Sequence, residues 1–397
     1  MIQISPETQL FIREHSSDDV RALALQAKKY PDINMPTAIT QIAGRQVAAE
    51  KIPSWREIEE IWYPKHLSLE QCSSEITARY KARLFQGDSL IDLTGGFGID
   101  CSFLATGFKT ATYVERQEEL CEIAAHNFPI LNLNHINVRN EDGVAYLQSM
   151  SPVDCIFLDP ARRNEHGGKT VAISDCEPNV AELEALLLSK ANRVMIKLSP
   201  MLDLSLALKE LKHTQEIHIL SVNNECKELL ILLGQTSPAE IAIHCVNLLT
   251  KGTQEEQHLV FTREQEQRSQ CTYTDSLGNY LYEPNASLLK AGAFRSIAAA
   301  YPVRKLHPNS HLYTSDSFIE NFPGRIFRIV NQCSFNKKEV KENLADLKKA
   351  NVTVRNFPTT VAELRKRLHL TEGGDTYLFA STLNNEQKVL IRCEKIK

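Results

Sequence analysis

The densest chemistry in the chain lies in the run Leu90 to Asp100, which reads Leu-Ile-Asp-Leu-Thr-Gly-Gly-Phe-Gly-Ile-Asp. Ile91 and Leu93 suit a buried parallel strand, and Gly95, Gly96 and Gly98 let the backbone turn and approach a ligand with no Cβ in the way. Asp92 and Thr94 supply polar groups at the mouth of that turn. A nucleotide-like cofactor is cradled in this manner at the end of a strand. The next strand pattern, Thr110 to Val114, ends in Glu115, about 20 residues past the glycines, where an acid can accept hydrogen bonds from both hydroxyls of a ribose. The spacing Gly95-Gly96-Phe97-Gly98 is too compressed for the dinucleotide fingerprint, and Asp92 would repel a pyrophosphate. An acid there suits a cofactor with positive charge.

Further acids stand at the ends of the strands that follow. Ile136 to Asn140 leads into Glu141-Asp142-Gly143, whose carboxylates can accept from an adenine amino group, and Asp154 to Leu158 runs into Asp159-Pro160-Ala161-Arg162. A solvated strand end explains any one of these acids, but four in register at successive strand ends need a common cause. Arg193 to Leu198 reads as a fifth strand, and Asp203 can cap the helix after it. Glu216 to Val222 and Glu228 to Leu233 are then separated by five residues, too few for a crossover helix, so these two strands are antiparallel neighbours.

From about Ser68 to Gly234 this ordered series resembles the class I S-adenosylmethionine-dependent methyltransferases. The resemblance implies an α/β, Rossmann-like seven-stranded sheet with a reversed last strand. It places Asp92, Thr94 and the glycines Gly95, Gly96 and Gly98 by the methionine moiety of S-adenosylmethionine, Glu115 at the ribose, Asp142 near the adenine and Asp159-Pro160 facing the reacting methyl. In related enzymes the segment before the first strand folds over the cofactor, which makes Gln71, Ser73 and Ser74 candidate contacts. Ser68 and Gln71 also have the spacing of a capping box for a helix there.

The Asp159-Pro160-Ala161-Arg162 motif sets the chemistry. Enzymes that methylate nitrogen on a stacked base carry a second proline and an aromatic ring where this chain has Ala161 and Arg162, so a stacking ring would have to come from elsewhere, such as Phe157 or Tyr282. Asp-Pro-Ala-Arg also occurs in enzymes that make 5-methyluridine, which use a cysteine after the fifth strand. Here that place holds Lys197-Leu198-Ser199-Pro200, and serine lacks the thiolate character the attack needs. Cys226 is the one thiol in a suggestive place, between the last two strands. Direct transfer is therefore expected, with Asp159 accepting a hydrogen bond or a proton from the acceptor. Arg162 and Arg163 are planar, permanently charged donors suited to phosphate, and Lys197 can steer an anionic substrate or neutralise an acid of the site.

The net charge of −4 conceals a polarised chain. From Cys271 to Lys397 there are 19 Lys and Arg against 12 Asp and Glu, a surplus of 7 positive charges, leaving 11 surplus negative charges on the rest. Single-signed fields attract polyanions. The cations cluster as Lys337 and Lys338 with Lys341, as Lys348-Lys349 on the same expected helix, and as Arg365-Lys366-Arg367. Tyr282-Glu283-Pro284-Asn285-Ala286 and the Asn351 to Ala380 stretch resemble a methyltransferase family with a ferredoxin-like segment and a THUMP-like domain, which implies structured RNA, ribosomal or transfer, as partner.

The expected organisation is a helical region over 1–88, a methyltransferase domain over 89–270, a ferredoxin-like segment over 271–322 and a small THUMP-like α+β domain over 323–397. With 43% hydrophobic and 24% charged residues in 397, the composition is that of a globular enzyme of several parts. No apolar run reaches the roughly 20 residues of a membrane span, and a cytoplasmic location is expected. The ten cysteines contain no Cys-x-x-Cys pair, so reduced, packed thiols are expected and no metal. Oligomeric state is left open.

Overall fold

A computed structural model describes residues 4–162, 172–251 and 256–396, the side chains of His66, Leu67 and Arg162 excepted. The chain divides into two compact units, one of Met1–Gln215 with Leu230–Ser237 and one of Glu216–Leu229 with Pro238–Lys397.

The first unit opens with helices whose ends are fixed by local side chains. Ser5 accepts from the Thr8 N–H at the start of α1 (Pro6–Glu14), Asp19 caps α2 (Val20–Leu25), and Asn34 caps α3 (Met35–Lys51). Such caps stabilise a helix end by about 1 kcal/mol each. Phe11, Ile12, Leu23, Met35, Ala38 and Ile42 form the core these helices share. After α4 (Pro53–Arg56) come α5 (His66–Gln71) and α6 (Glu75–Ala82). The single helix expected to open at a Ser68–Gln71 capping box is thus two short helices. Ser68 lies inside α5, and extended backbone at Cys72 and Ser74 separates the two.

Five parallel strands follow: β1 (Gly87–Asp92), β2 (Phe108–Glu115), β3 (Ile136–Asn140), β4 (Val153–Leu158) and, after the short antiparallel pair β5 (Ala161–Arg162) and β6 (Cys176–Glu177), β7 (Ala191–Leu198). Their order is β7-β4-β1-β2-β3, with Asp92 opposite Tyr113 and Phe157, and Glu115 opposite Asn140. Crossovers α7 (Ile99–Ala105), α8 (Glu118–Ile130), α9 (Gly143–Ser149) and α10 (Val180–Lys190) join them. Parallel strands packed on both faces read as continuous apolar runs, and Cys155, Ile156, Phe157 and Leu158 are all buried. Asp203 accepts from the Leu206 N–H to start α11 (Leu204–Glu210), as expected.

The strands β8 (Thr214–Val222) and β9 (Glu225–Gly234) are neighbours joined only by Asn223 and Asn224, both at positive φ. Two such residues make the hairpin turn that matches strand twist, and asparagine tolerates it. The boundary between the units passes through this hairpin. In the second unit two strands that were not expected join β8: β10 (Ala242–Leu248), parallel to it, and β11 (Glu256–Thr262), antiparallel to β10.

After α12 (Arg263–Arg268) the second unit carries a further seven-stranded sheet, built from β12 (Tyr280–Pro284), β13 (Arg304–Lys305), β14 (Tyr313–Ser315), β15 (Gly324–Ser334), β16 (Asn351–Val354), β17 (Thr376–Thr382) and β18 (Lys388–Lys395) in the order β13-β14-β12-β15-β18-β17-β16. The helix expected over Asn285 to Ala300 is two, α13 (Ala286–Ala291) and α14 (Phe294–Ala300), parted at Gly292 with φ +75°. The helix expected from Lys337 to Ala350 ends early, as α15 (Lys337–Leu344), because the backbone at Lys348 and Ala350 bonds instead to Thr371. Thr360 and Glu363 form a capping box for α16 (Val361–Leu368).

Candidate active site

The C-terminal ends of β1, β2 and β4 and the glycine loop bring the acids together. In the loop Gly95 has no space for a side chain, since a Cβ there would lie 2.2 Å from the Tyr113 ring, and Gly96 and Gly98 hold φ of +54° and +85°, which favour glycine. Glu115 fastens the loop, with Oε2 accepting from the Gly96 N–H at 2.9 Å and Oε1 from the Gln117 N–H at 2.9 Å. Thr94 bridges two strand ends, its N–H donating to Asp92 Oδ1 at 3.0 Å and its Oγ1 accepting from the Asp159 N–H at 2.6 Å. Asp142 is exposed and caps α9, accepting from the Val144 and Ala145 N–H groups at 3.0 Å. Pro160 is buried next to Asp159.

Below the loop lies a buried charge cluster. Lys197 Nζ stands 2.6 Å from Asp159 Oδ2 and 3.1 Å from Asp100 Oδ2, and Lys81 Nζ stands 2.9 Å from Asp100 Oδ1. Ser73 joins them, donating to Asp100 Oδ2 at 2.7 Å and accepting from Lys197 at 2.9 Å and Lys81 at 3.0 Å. The Lys81 side chain is fully buried and those of Lys197 and Asp100 nearly so. Burial opposes the Asp100 charge, but Lys197 and Lys81 outweigh it, and its carboxyl lies well below the usual range. Among the described residues Asp92 has no such cation at contact distance, and it is 1% exposed; burial pushes it up to about 8, against the Thr94 N–H, and repulsion from Asp100 and Asp159 adds to the rise. A carboxyl so placed is held neutral until positive charge arrives.

Lys197, expected to steer an anionic substrate or to neutralise an acid, is in contact with the acids Asp100 and Asp159. Sequence reasoning missed Lys81 and Asp100 as members. The available signal was charge balance, since a lysine in the apolar strand Arg193 to Leu198 needs a carboxylate. Of the three residues proposed before the first strand, Ser73 meets the cluster, Ser74 pairs with Thr77 in the first turn of α6, and Gln71 is exposed at the end of α5. Arg163 and the Arg162 side chain lie outside the described residues. Neither substitute ring is available for stacking: Phe157 is 1% exposed on β4, and Tyr282 is fully buried with its hydroxyl donating to the Ser317 carbonyl. Cys226 is a neutral thiol, pushed up to about 11 by burial, and so a poor nucleophile.

Among the C-terminal cations, Lys337, Lys338 and Lys366 are exposed. Arg365 pairs with Glu372 at 3.1 Å, and Arg367 lies over the Phe335 ring at 4.0 Å.

Two family signatures match, a ferredoxin-like domain over residues 280–323 and a THUMP domain-like region over 324–395. A crystal structure of a candidate methyltransferase from Porphyromonas gingivalis W83 is 34% identical, with 100% of each chain covered and a TM-score of 0.87. An rRNA methylase from Streptococcus thermophilus (14% identity, 40% of this chain and 94% of that one, TM-score 0.30) and a candidate methyltransferase from Streptococcus mutans in complex with SAH (12%, 40% and 96%, 0.29) are too distant to inform this site. No curated protein matches the chain. With full-length similarity to the Porphyromonas protein, a parallel sheet of Rossmann type and both C-terminal signatures, the chain belongs to the methyltransferase family that carries ferredoxin-like and THUMP-like domains.

Proposed function

We propose that this chain is an S-adenosylmethionine-dependent methyltransferase that acts on structured RNA by direct transfer. The observation that carries the reading is the set of acids at successive strand ends around a loop whose backbone requires glycine at Gly95, Gly96 and Gly98. Asp92, buried without a cation of its own among the described residues, answers a cationic sulfonium; Glu115 keeps lone pairs for ribose hydroxyls beyond its two loop contacts; Asp142 offers its second oxygen toward an adenine amino group. The residues present therefore fit the cofactor, which supplies an activated methyl group. The protein's part is to hold the acceptor in line with it and exclude water.

Asp159, fixed by Thr94 on its backbone and by Lys197 on its side chain, is assigned as the acceptor's hydrogen-bond partner. Burial raises its carboxyl above the ordinary value, against the pull of Lys197, so it is suited to orient a nucleophile and to take the proton of an amine-like one. Pro160 and Arg162 line the same turn, and Arg162, Arg163, Lys337, Lys338, Arg365 and Lys366 are assigned to phosphates. The exposed lysines of α15 and α16 and the surplus of 7 positive charges from Cys271 onward favour RNA over a small molecule.

The test is transfer of labelled methyl from S-adenosylmethionine to total RNA and, in parallel, to total protein, both from cells lacking this gene. Label in RNA with wild type and none with Asp159→Ala is the expected result; label in protein alone would refute the RNA assignment. Glu115→Ala separates cofactor from substrate. It removes two charge-assisted contacts and is expected to weaken S-adenosylmethionine by roughly tenfold or more while leaving RNA affinity unchanged. Equal loss of both would refute the division.

A further inference from the structure

Outside the methyltransferase site, the sheet of the second unit gathers ligand-type side chains that no part of the proposed function uses. Glu216 and His218 are two residues apart on β8 and so share a face, and His244 on β10 is the direct register partner of His218. His258 on β11 pairs with Val246, two residues along from His244, which puts it on that same face. Donor atoms of Glu216, His218 and His244 all lie within 4.8 Å of one another. His218 Nε2 is 3.3 Å from Glu216 Oε2, and His244 Nδ1 is 3.3 Å from His258 Nε2. The rings of His218 and His244 stack at 4.3 Å and those of His244 and His258 at 5.4 Å.

We propose that Glu216, His218, His244 and His258 form a site for a borderline divalent cation, Zn2+ above all, that staples β8, β10 and β11 together. A tetrahedral ion with nitrogen and oxygen ligands at its usual bond lengths holds neighbouring donors about 3.3–3.5 Å apart. Two edges of the group already have that spacing. Imidazole with one carboxylate is a zinc-type donor set, unsuited to Mg2+ or Ca2+, which take oxygen. Glu216, His218 and His244 already converge, and His258, in contact with His244, would close the coordination sphere by turning its ring toward the ion, which marks a structural rather than a catalytic ion. Access from solvent exists, since His258 is exposed and the Glu216 side chain is 43% exposed. The inference stands apart from methyl transfer.

The test uses the untagged full-length protein, stripped with chelator and then titrated with Zn2+ by calorimetry and with Co2+ by visible absorption. One equivalent bound, with the intense d–d bands of tetrahedral Co2+, is the expected result, together with a rise in unfolding midpoint when Zn2+ is added. His244→Ala is expected to weaken binding by roughly tenfold or more, and Glu216→Gln, which keeps size and shape, tests the site if the histidine variant fails to fold. His126→Ala, a histidine of the first unit, should bind as wild type does. No saturable binding, a six-coordinate Co2+ spectrum, or equal affinity in wild type and Glu216→Gln would overturn the proposal.

Discussion

Replacing Asp92 by asparagine should make the cofactor-free protein more stable, by a margin that depends on pH. In the unfolded chain this carboxyl has its ordinary value of 3.8, and in the folded protein it stands at about 8. Between those limits the folded protein keeps a proton that the unfolded chain has released, so the acid costs increasing stability as pH rises through the window, and the cost levels off above pH 8. Each unit of pH in the window is worth about 1.4 kcal/mol, so the penalty grows by about 2.7 kcal/mol from pH 5 to pH 7 and saturates at an upper bound of about 6 kcal/mol. Asparagine keeps an oxygen for the Thr94 N–H and has no charge to desolvate. Urea unfolding of both proteins at pH 5, 6 and 7 measures the margin, in which all other titrations cancel. Asp92→Asn should gain on wild type by about 2–3 kcal/mol across that range. A flat difference, or a variant weaker than wild type at pH 7, would refute the account of Asp92 as a neutral, desolvated acid. The same variant should bind S-adenosylmethionine more weakly at pH 8 and above, where a sulfonium needs the charge.

Lys81→Met leaves Asp100 with Lys197 and Ser73 but removes a fully buried cation, and should lower stability by about 3 kcal/mol in chemical denaturation; a loss under about 0.5 kcal/mol, the level of a surface substitution, would show that the cluster is not closed to water. Gly95→Ala drives a methyl against the Tyr113 ring, so it should abolish cofactor binding, read by calorimetry, and lower the unfolding midpoint. Lys337→Ala with Lys338→Ala should weaken RNA binding and reduce the salt slope of log Kd by about 1–2. Arg365→Ala, whose guanidinium already pairs with Glu372, should change it less; equal effects would place the RNA elsewhere.

The legible parts of this chain share one property, that their cause is local in sequence. An apolar run, a terminal acid and a glycine turn each declare themselves within about ten residues, which is why the strands and their acids, Asp92, Glu115 and Asp142, were readable in order. Ser73 and Lys81, Asp100, and Lys197 come from three separate segments and meet only because α6, α7 and β7 converge. No spacing rule connects them; only the demand that a buried charge find a partner does. The strands β10 and β11 are hidden for a related reason: polar residues on both faces, exposed His258 and buried Gln257 among them, interrupt the apolar pattern that marks a strand, as in Ala242-Ile243-His244-Cys245 and Glu256-Gln257-His258-Leu259. Where a strand carries unexpected polar residues, the sheet register decides which of them meet, and that information is not in any single strand. His218 and His244 are 26 positions apart and become direct neighbours through one parallel pairing. The features that the local pattern tolerates worst, a lysine in an apolar strand and histidines on a sheet face, are therefore where the chain's least legible chemistry lies.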